Sequence, residues 1–337
     1  MTAGEDDVIN VWNSTTYKQI TQLQYGLKRV WTMSAVPDTG AVAFGFDEGT
    51  VVVKIGKELP LATFANGKVV WVKNGEIQTM NLKLLAGADE ASKDGEVVKP
   101  QNVKELGQSE TFAQNVKFAP SGRYFAVCGD SDFTIYSYPK FVNSAFGSGS
   151  DLVWSTVNST QTNTYAVRTE NGTVKVYKNF AEFKAFKTSF ENEGIFGGRL
   201  LAIKSKDFIT FYDWEEFYVV RRIDVAQNIK NVYWAEDGSS VVLALEDSFY
   251  LLSFNAKEVE ALVAAGDINE EEEEDGFEAA FTFVDEFPEM INSGFWVSSE
   301  CFTFINSRGN ISYLVGGRVM KLGNADKKQF ILGYDGK

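Results

Sequence analysis

The side chains that carry chemistry in this sequence are chiefly carboxylates, because histidine is absent. Without histidine, neither a Ser-His-Asp nor a Cys-His nucleophile system can be built. Zinc sites with His ligands, HExxH helices and haem His ligation are excluded as well. Two cysteines, Cys128 and Cys301, are too few for a four-cysteine metal site or a disulfide framework and fit a reducing compartment. Gly194-Ile195-Phe196-Gly197-Gly198 matches neither GxxxxGK[ST] nor a strand-to-helix GxGxxG, so it is no phosphate loop. No cofactor or metal site is expected.

The 46 acidic residues outnumber 32 basic ones, for a formal net charge of -14. Paired carboxylates could cleave glycosidic bonds, but no pair stands out from acids placed at turns. Fourteen acids fall between Glu258 and Asn306, where there is no Lys or Arg, and the rest of the chain is formally neutral. A local block of this kind reads as a solvated insertion, centred on Asn269-Glu270 through Asp275-Gly276; a docking site for a basic partner is the alternative. The Asp/Asn, Gly and terminal Glu order of an EF-hand is missing from it. Lys175, Tyr177, Lys178, Phe180, Phe183, Lys184, Phe186 and Lys187 interleave basic and aromatic side chains, as single-strand nucleic-acid grooves do. In a neutral body they read instead as an outer strand whose lysine stems guard its edge. Lys28-Arg29 and Arg221-Arg222 are read as surface ion-pair partners.

The elements that must position these residues are strands. Short β-rich runs bounded by Gly, Asn and Asp recur from AVAFGF to CFTFIN, and helical periodicity is scarce, so the chain is all-β. An aromatic preceded by an apolar or long residue recurs at Val30-Trp31, Val70-Trp71, Lys117-Phe118, Val153-Trp154, Ile195-Phe196, Tyr233-Trp234 and Phe295-Trp296. The first five spacings average about 41 residues, the period of a four-stranded propeller blade; the sixth is longer where the acidic block falls. In step with these lie turns entering a third strand, at Asp7-Val8, Asp47-Gly49, Asp130-Asp132, Asn171-Gly172, Lys206-Asp207 and Glu246-Asp247. The sequence therefore predicts a WD-repeat-like β-propeller of seven blades, within a range of six to eight. Residues 1–24 supply the closing strands of a preceding propeller or ring-closing strands. Residues 25–337 form the propeller, with an acidic insertion at about 263–292. No apolar run approaches a membrane span and the N-terminus lacks a signal-peptide pattern, so a soluble intracellular protein is expected.

Several stretches resemble the second propeller of the beta-prime subunits of coatomer, the COPI vesicle coat. They include Tyr25-Gly26-Leu27-Lys28-Arg29-Val30-Trp31, Gly45-Phe46-Asp47-Glu48-Gly49-Thr50-Val51, Ala119-Pro120-Ser121-Gly122-Arg123-Tyr124 with Cys128-Gly129-Asp130, and Val174 to Phe180. Phe211-Tyr212-Asp213-Trp214 with Arg221-Arg222-Ile223, Glu273 to Glu278, Gly294-Phe295-Trp296-Val297, Tyr313 to Gly317 and Leu332-Gly333-Tyr334 continue it in collinear order. The resemblance implies a non-catalytic scaffold in Golgi-to-ER and intra-Golgi vesicle transport. Its implied partners are alpha and other coatomer subunits and, through the assembled coat, an Arf-type GTPase. Its implied place is cytoplasmic, peripheral on Golgi and COPI vesicle membranes, with no nucleic acid bound. The family's dilysine cargo pocket lies in its first propeller, so no cargo, catalytic or partner-binding residue is carried over. The Gly-His turn of WD repeats is missing, so the hydrogen bonds of that histidine must come from elsewhere or be lost. A cytosolic adaptor of the same fold and a propeller hydrolase remain the alternatives.

Overall fold

The computed structural model describes residues 1–12, 17, 19–36, 41–54, 60–73, 75–85, 102–266, 274–325 and 329–334. The chain divides into two compact units, Met1–Leu59 and Pro60–Lys337. The first holds two three-stranded antiparallel sheets. One is β1 (Thr2–Ala3), β2 (Val8–Trp12) and β3 (Gln19–Gln24); the other is β4 (Val30–Ala35), β5 (Ala41–Phe46) and β6 (Gly49–Lys54). Ile9, Val42, Phe44 and Phe46 form their shared core. Asp7, at positive φ, accepts hydrogen bonds from the Gly26 and Leu27 amides and so fixes the turn between the two sheets.

The second unit is six four-stranded antiparallel sheets in chain order. Sheet I is β7 (Ala62–Ala65), β8 (Lys68–Lys73), β9 (Glu76–Asn81) and β10 (Lys104–Gln108). Sheet II is β11 (Asn115–Phe118), β12 (Tyr124–Cys128), β13 (Asp132–Ser137) and β14 (Asn143–Ser148). Sheet III is β15 (Asp151–Trp154), β16 (Thr164–Arg168), β17 (Thr173–Lys178) and β18 (Ala181–Lys187). Sheet IV is β19 (Gly194–Phe196), β20 (Leu201–Lys204), β21 (Phe208–Tyr212) and β22 (Val219–Asp224). Sheet V is β23 (Asn231–Trp234), β24 (Ser240–Ala244), β25 (Phe249–Phe254) and β26 (Phe281–Phe287). Sheet VI is β27 (Ile291–Ser298), β28 (Cys301–Asn306), β29 (Asn310–Val315) and β30 (Arg318–Asn324).

Second strands such as Tyr124–Cys128 and Ser240–Ala244 are buried on both faces and accordingly read as unbroken apolar runs. Fourth strands are mostly exposed. The reason is stacking: apolar clusters join sheets I and II, II and III, III and IV, IV and V, and V and VI. Filling the space between two twisted sheets takes large side chains, hence fully buried Phe125, Tyr165, Phe211, Phe249 and Phe302. Sheets VI and I meet differently. Phe64 and Phe295 pack edge to face at 6.3 Å, Gly333 lies flush on the Phe64 ring, and the Ile331 amide donates to Ser293 Oγ at 2.8 Å. Residues 330–334 are irregular.

The seven aromatic markers fall one to a sheet, in sheets I to VI and the β4–β6 sheet. One marker needs correction. Val70-Trp71 lies on β8, a second strand, where the indole donates to Gln78 on β9; the innermost strand of sheet I is the short Ala62–Ala65, whose aromatic is Phe64. The turns at Asp47-Gly49, Asp130-Asp132, Asn171-Gly172, Lys206-Asp207 and Glu246-Asp247 all enter a third strand.

The acidic insertion is structured where it is described. Helix α1 (Ala256–Ala265) ends on Gly266 at φ +70°, and Val259 on it is buried in the cluster joining sheets IV and V. Phe277 and Ala280, just after it, join that cluster, while Glu274 and Asp275 are exposed. Asp267 to Glu273, most of the acidic run, lie outside the described residues.

Every fourth strand of the six sheets carries a β-bulge against its third strand. The extra residues are Leu106, Ser144, Phe183, Val220, Val284 and Leu322. A bulge twists an outer edge and interrupts its hydrogen-bonding array, which discourages edge-to-edge aggregation.

Candidate functional site

The six innermost strands of the second unit enclose a cavity of about 800 Å³. Each contributes an aromatic from its end: Phe64, Phe118, Trp154, Phe196, Trp234 and Trp296. The aromatic markers of the sequence are thus the wall of this cavity, with Phe64 in place of Trp71.

A repeated link holds the strands around it. In three sheets the residue just before the aromatic supplies an acceptor to the next sheet. The Phe118 amide donates to Thr63 Oγ1 at 3.0 Å, the Trp154 indole to the Lys117 carbonyl at 3.2 Å, and the Trp296 indole to the Tyr233 carbonyl at 2.9 Å. Between sheets III and IV the backbones meet directly: Ser155 and Gly198 form a parallel bridge, with Thr156 N–H on Gly198 O at 3.0 Å. A side chain at Gly197 would stand 2.2 Å from the Trp154 carbonyl, and one at Gly198, at φ +128°, would stand 2.1 Å from Trp234 Cδ1. The glycine pair therefore lets sheets III, IV and V approach closely on the cavity wall. Its signal in sequence was only a Gly-Gly after a strand, which does not reveal the partner it must admit. Trp234, wedged on Gly198, is the wall indole whose N–H has no acceptor among the described residues.

The polar groups of the wall are few. Lys117 pairs with Asp151 at 3.1 Å, and Glu236 is the one carboxylate among the described lining residues. Two carboxylates facing one bond, the requirement for glycoside hydrolysis, are not assembled there among the described residues. Burial pushes the Tyr233 hydroxyl up to about 12, against hydrogen bonds from the Asn231 side chain and the Gly294 backbone that favour the phenolate. Lys68, near one rim, is lowered chiefly by burial and then by Lys83. The wall is a set of packed rings held by neutral hydrogen bonds, suited to rigidity and to apolar contact. No group of three or more His, Cys, Asp or Glu among the described residues could hold a metal ion.

The other sequence candidates are spread over the surface and engaged locally. Phe183, Lys184, Phe186 and Lys187 lie on β18, the outermost strand of sheet III. Lys178 pairs with Glu215 at 2.7 Å and stands over the Phe183 ring; Lys184 stands over Phe217, and Lys175 pairs with Glu182. Lys28 pairs with Glu48, and Arg29 with Glu5 and Asp47. Arg222 pairs with Asp224 and Asp275 and lies over the Phe208 ring. Cys128 is buried and Cys301 half-buried, and neither forms a disulfide among the described residues.

Side chains of the loops between sheets are hydrogen-bonded to the turns that enter the third strands. In sheet II, Thr111 Oγ1 donates to Asp132 at 2.9 Å and contacts Thr134 Oγ1 at 3.0 Å. In sheet V the Asp247 amide donates to Gln227, and in sheet VI Asn306 donates to Glu289. Thr111 and Gln227 supply, without histidine, loop-to-turn hydrogen bonds of the kind a Gly-His turn would make.

Among the described residues no helix is long and apolar enough to cross a membrane. Residues 74–337 match the family model "COPA/B second beta-propeller". The chain is 39% identical over 336 residues to coatomer subunit beta' of Drosophila melanogaster, covering 99% of this chain and 35% of that protein. It is 37% identical over 335 residues to the Rattus norvegicus protein, covering 99% and 36%, and 42% identical over 315 residues to coatomer subunit beta'-2 of Oryza sativa subsp. japonica, covering 93% and 33%. It thus spans about a third of the length of these relatives. A chain in the crystal structure of the mitotic checkpoint complex shares the fold at TM-score 0.55 and 14% identity, over 83% of this chain and 84% of that one.

Proposed function

The chain belongs to the COPA/B second beta-propeller family, and on that premise we propose that it is a non-catalytic structural part of a COPI-type vesicle coat. The observation that carries this reading is collinear similarity to coatomer subunit beta' across 99% of the chain. The cavity wall supports it, because its groups interlock rather than converge on a reacting atom. Its work is geometric: rigid stacked sheets hold neighbouring protein surfaces at fixed separations on a coated membrane, and no bond is made or broken.

In this reading the partners are alpha and other coatomer subunits, and contact with membrane comes through the assembled coat and an Arf-type small GTPase. The protein acts in Golgi-to-ER and intra-Golgi transport, cytoplasmic and peripheral on Golgi and vesicle membranes. Residues 1–24 serve as closing strands of a preceding propeller or of the ring, and residues 25–337 as the propeller. The test is immunoprecipitation from cytosol with an antibody to this region, read by mass spectrometry. Recovery with alpha and other coatomer subunits is the expected result; a companion set without coatomer overturns the proposal.

A further inference from the structure

The six fourth strands differ in what lies on their outer edges. On β22 the edge is occupied by the chain's own Asp275-Gly276-Phe277. Gly276 bridges Arg221 in antiparallel register, the Phe277 amide donates to the Val220 carbonyl at 2.9 Å, and Asp275 pairs with Arg222 at 3.5 Å. Val220, the bulge residue, is 1% exposed, whereas its counterparts Phe183, Val284 and Leu322 are 52%, 50% and 70% exposed and Leu106 and Ser144 are half-buried. A bulged outer edge of this fold therefore accepts an extended segment through one backbone hydrogen bond, a close-approach glycine and a charge pair two residues past the bulge.

Strand β26 offers the same arrangement with its charges reversed. After the bulge residue Val284 come Asp285 and Glu286, where β22 has Arg221 and Arg222. Neither carboxylate forms an ion pair among the described residues, and both are exposed. Phe283 beside them is 57% exposed, leaning on Tyr250 at 5.5 Å. Of the six fourth strands, β26 alone carries carboxylates without a lysine or arginine, the side chains that usually guard such an edge.

We propose that the outer edge of β26 is a docking site for an extended basic segment of a partner protein, bound as an added strand with the order cation, glycine, aromatic. The carbonyl of Val284 would accept from the segment's aromatic residue, and Glu286 would pair with the cation, as Val220 and Arg222 do with Phe277 and Asp275. Strand addition of this kind takes affinity from backbone hydrogen bonds and selectivity from side-chain contacts. The negative surface disfavours nucleic acid and anionic membrane as occupants.

The test uses the intact chain and a fluorescent peptide, KKRGFKA, which is the native EEDGFEA of 273–279 with each acid replaced by a base. Anisotropy titration is expected to show saturable binding, weakened about 10-fold or more by the double variant Asp285→Lys, Glu286→Lys. The same charge change on other fourth strands, Glu105→Lys with Glu182→Lys, should leave affinity unchanged. A scrambled peptide of equal charge and a KKRVFKA peptide should each bind about 10-fold more weakly. Equal binding of the scrambled peptide, equal losses in both double variants, or no saturable binding at all overturns the proposal. Circular dichroism and melting of each variant ensure that a loss of binding is not a loss of fold.

Discussion

Replacing Gly276 with alanine should release the insertion from sheet IV while leaving the other sheets intact. An alanine Cβ at this position would lie 2.4 Å from the Val220 carbonyl oxygen, 2.5 Å from its carbon and 2.6 Å from the Arg221 nitrogen. All three are backbone atoms of β22, held by pairing with β21, so the segment must yield instead. Side-chain carbons keep beyond 3.0 Å of such atoms, so the segment retreats by about 0.6 Å. That stretches the 2.9 Å bond from Phe277 N–H to Val220 O to the limit of a hydrogen bond. Losing it where both partners are buried costs about 1–3 kcal/mol. Holding alanine at φ +75° costs about 1–2 kcal/mol more, giving a local destabilisation of about 2–5 kcal/mol. Hydrogen exchange read by mass spectrometry suits this better than a global melt, because a six-sheet unit need not unfold in one step. Amides of β22, α1 and residues 277–280 should exchange roughly 30-fold faster or more, at tenfold per 1.4 kcal/mol, with sheets II and III unchanged. Asp275→Asn removes only a half-exposed ion pair and should cost at most about 1 kcal/mol. Wild-type exchange in Gly276→Ala, or an Asp275→Asn effect as large, would refute the account of backbone close approach.

Gly198→Ala should destabilise the wall between sheets III, IV and V by about 2–4 kcal/mol, since its Cβ would overlap the Trp234 ring; denaturant titration followed by tryptophan fluorescence checks this, and an unchanged midpoint argues against it. Thr111→Val keeps the shape but strips the hydroxyl from Asp132 and Thr134, for a loss of about 1–3 kcal/mol, measurable as accelerated exchange in the β12–β13 hairpin. Tyr212, Tyr218 and Tyr233 are each pushed up to about 12 and Tyr165 higher still, chiefly by burial. Phenolate absorbance at pH 11 should therefore show these four still largely protonated, whereas all thirteen tyrosines titrating together near pH 10 would contradict it. Because the unfolded chain releases these protons first, native stability should fall as pH rises from about 10 toward 12.

Much of this architecture is legible in the sequence because its elements are local. Hairpins announce themselves by turn residues such as Asn171-Gly172 and by strands with alternating or continuous apolar character, and both lie within about ten residues. What escaped was long-range. Ala62–Ala65 is short and only half-buried, so the stronger Val70-Trp71 drew the marker onto the wrong strand. Val259, Phe277 and Ala280 lie among carboxylates, and nothing in their neighbourhood of the chain reveals the cluster between sheets IV and V that buries them. Gly197 and Gly198 gave no sign of the Trp154 and Trp234 they abut, because a glycine records that space is needed but not which neighbour fills it. The cavity as a whole was legible only as a period of aromatics, since the hydrogen bonds to Thr63, Lys117 and Tyr233 join residues of different sheets.

The order of the apolar clusters bears on how the second unit is made. Each cluster is shared by sheets that follow one another in the chain, so each newly synthesised sheet finds its neighbour already folded as the polypeptide leaves the ribosome. Loop-closure entropy is therefore met in small instalments, as in low-contact-order folds, although the product is all-β. Among the described residues, the junction of sheets VI and I, through Phe64, Phe295, Ser293, Ile331 and Gly333, is the one between sheets that unites distant parts of the chain. Being the last available to form, it is where assembly of the unit ends.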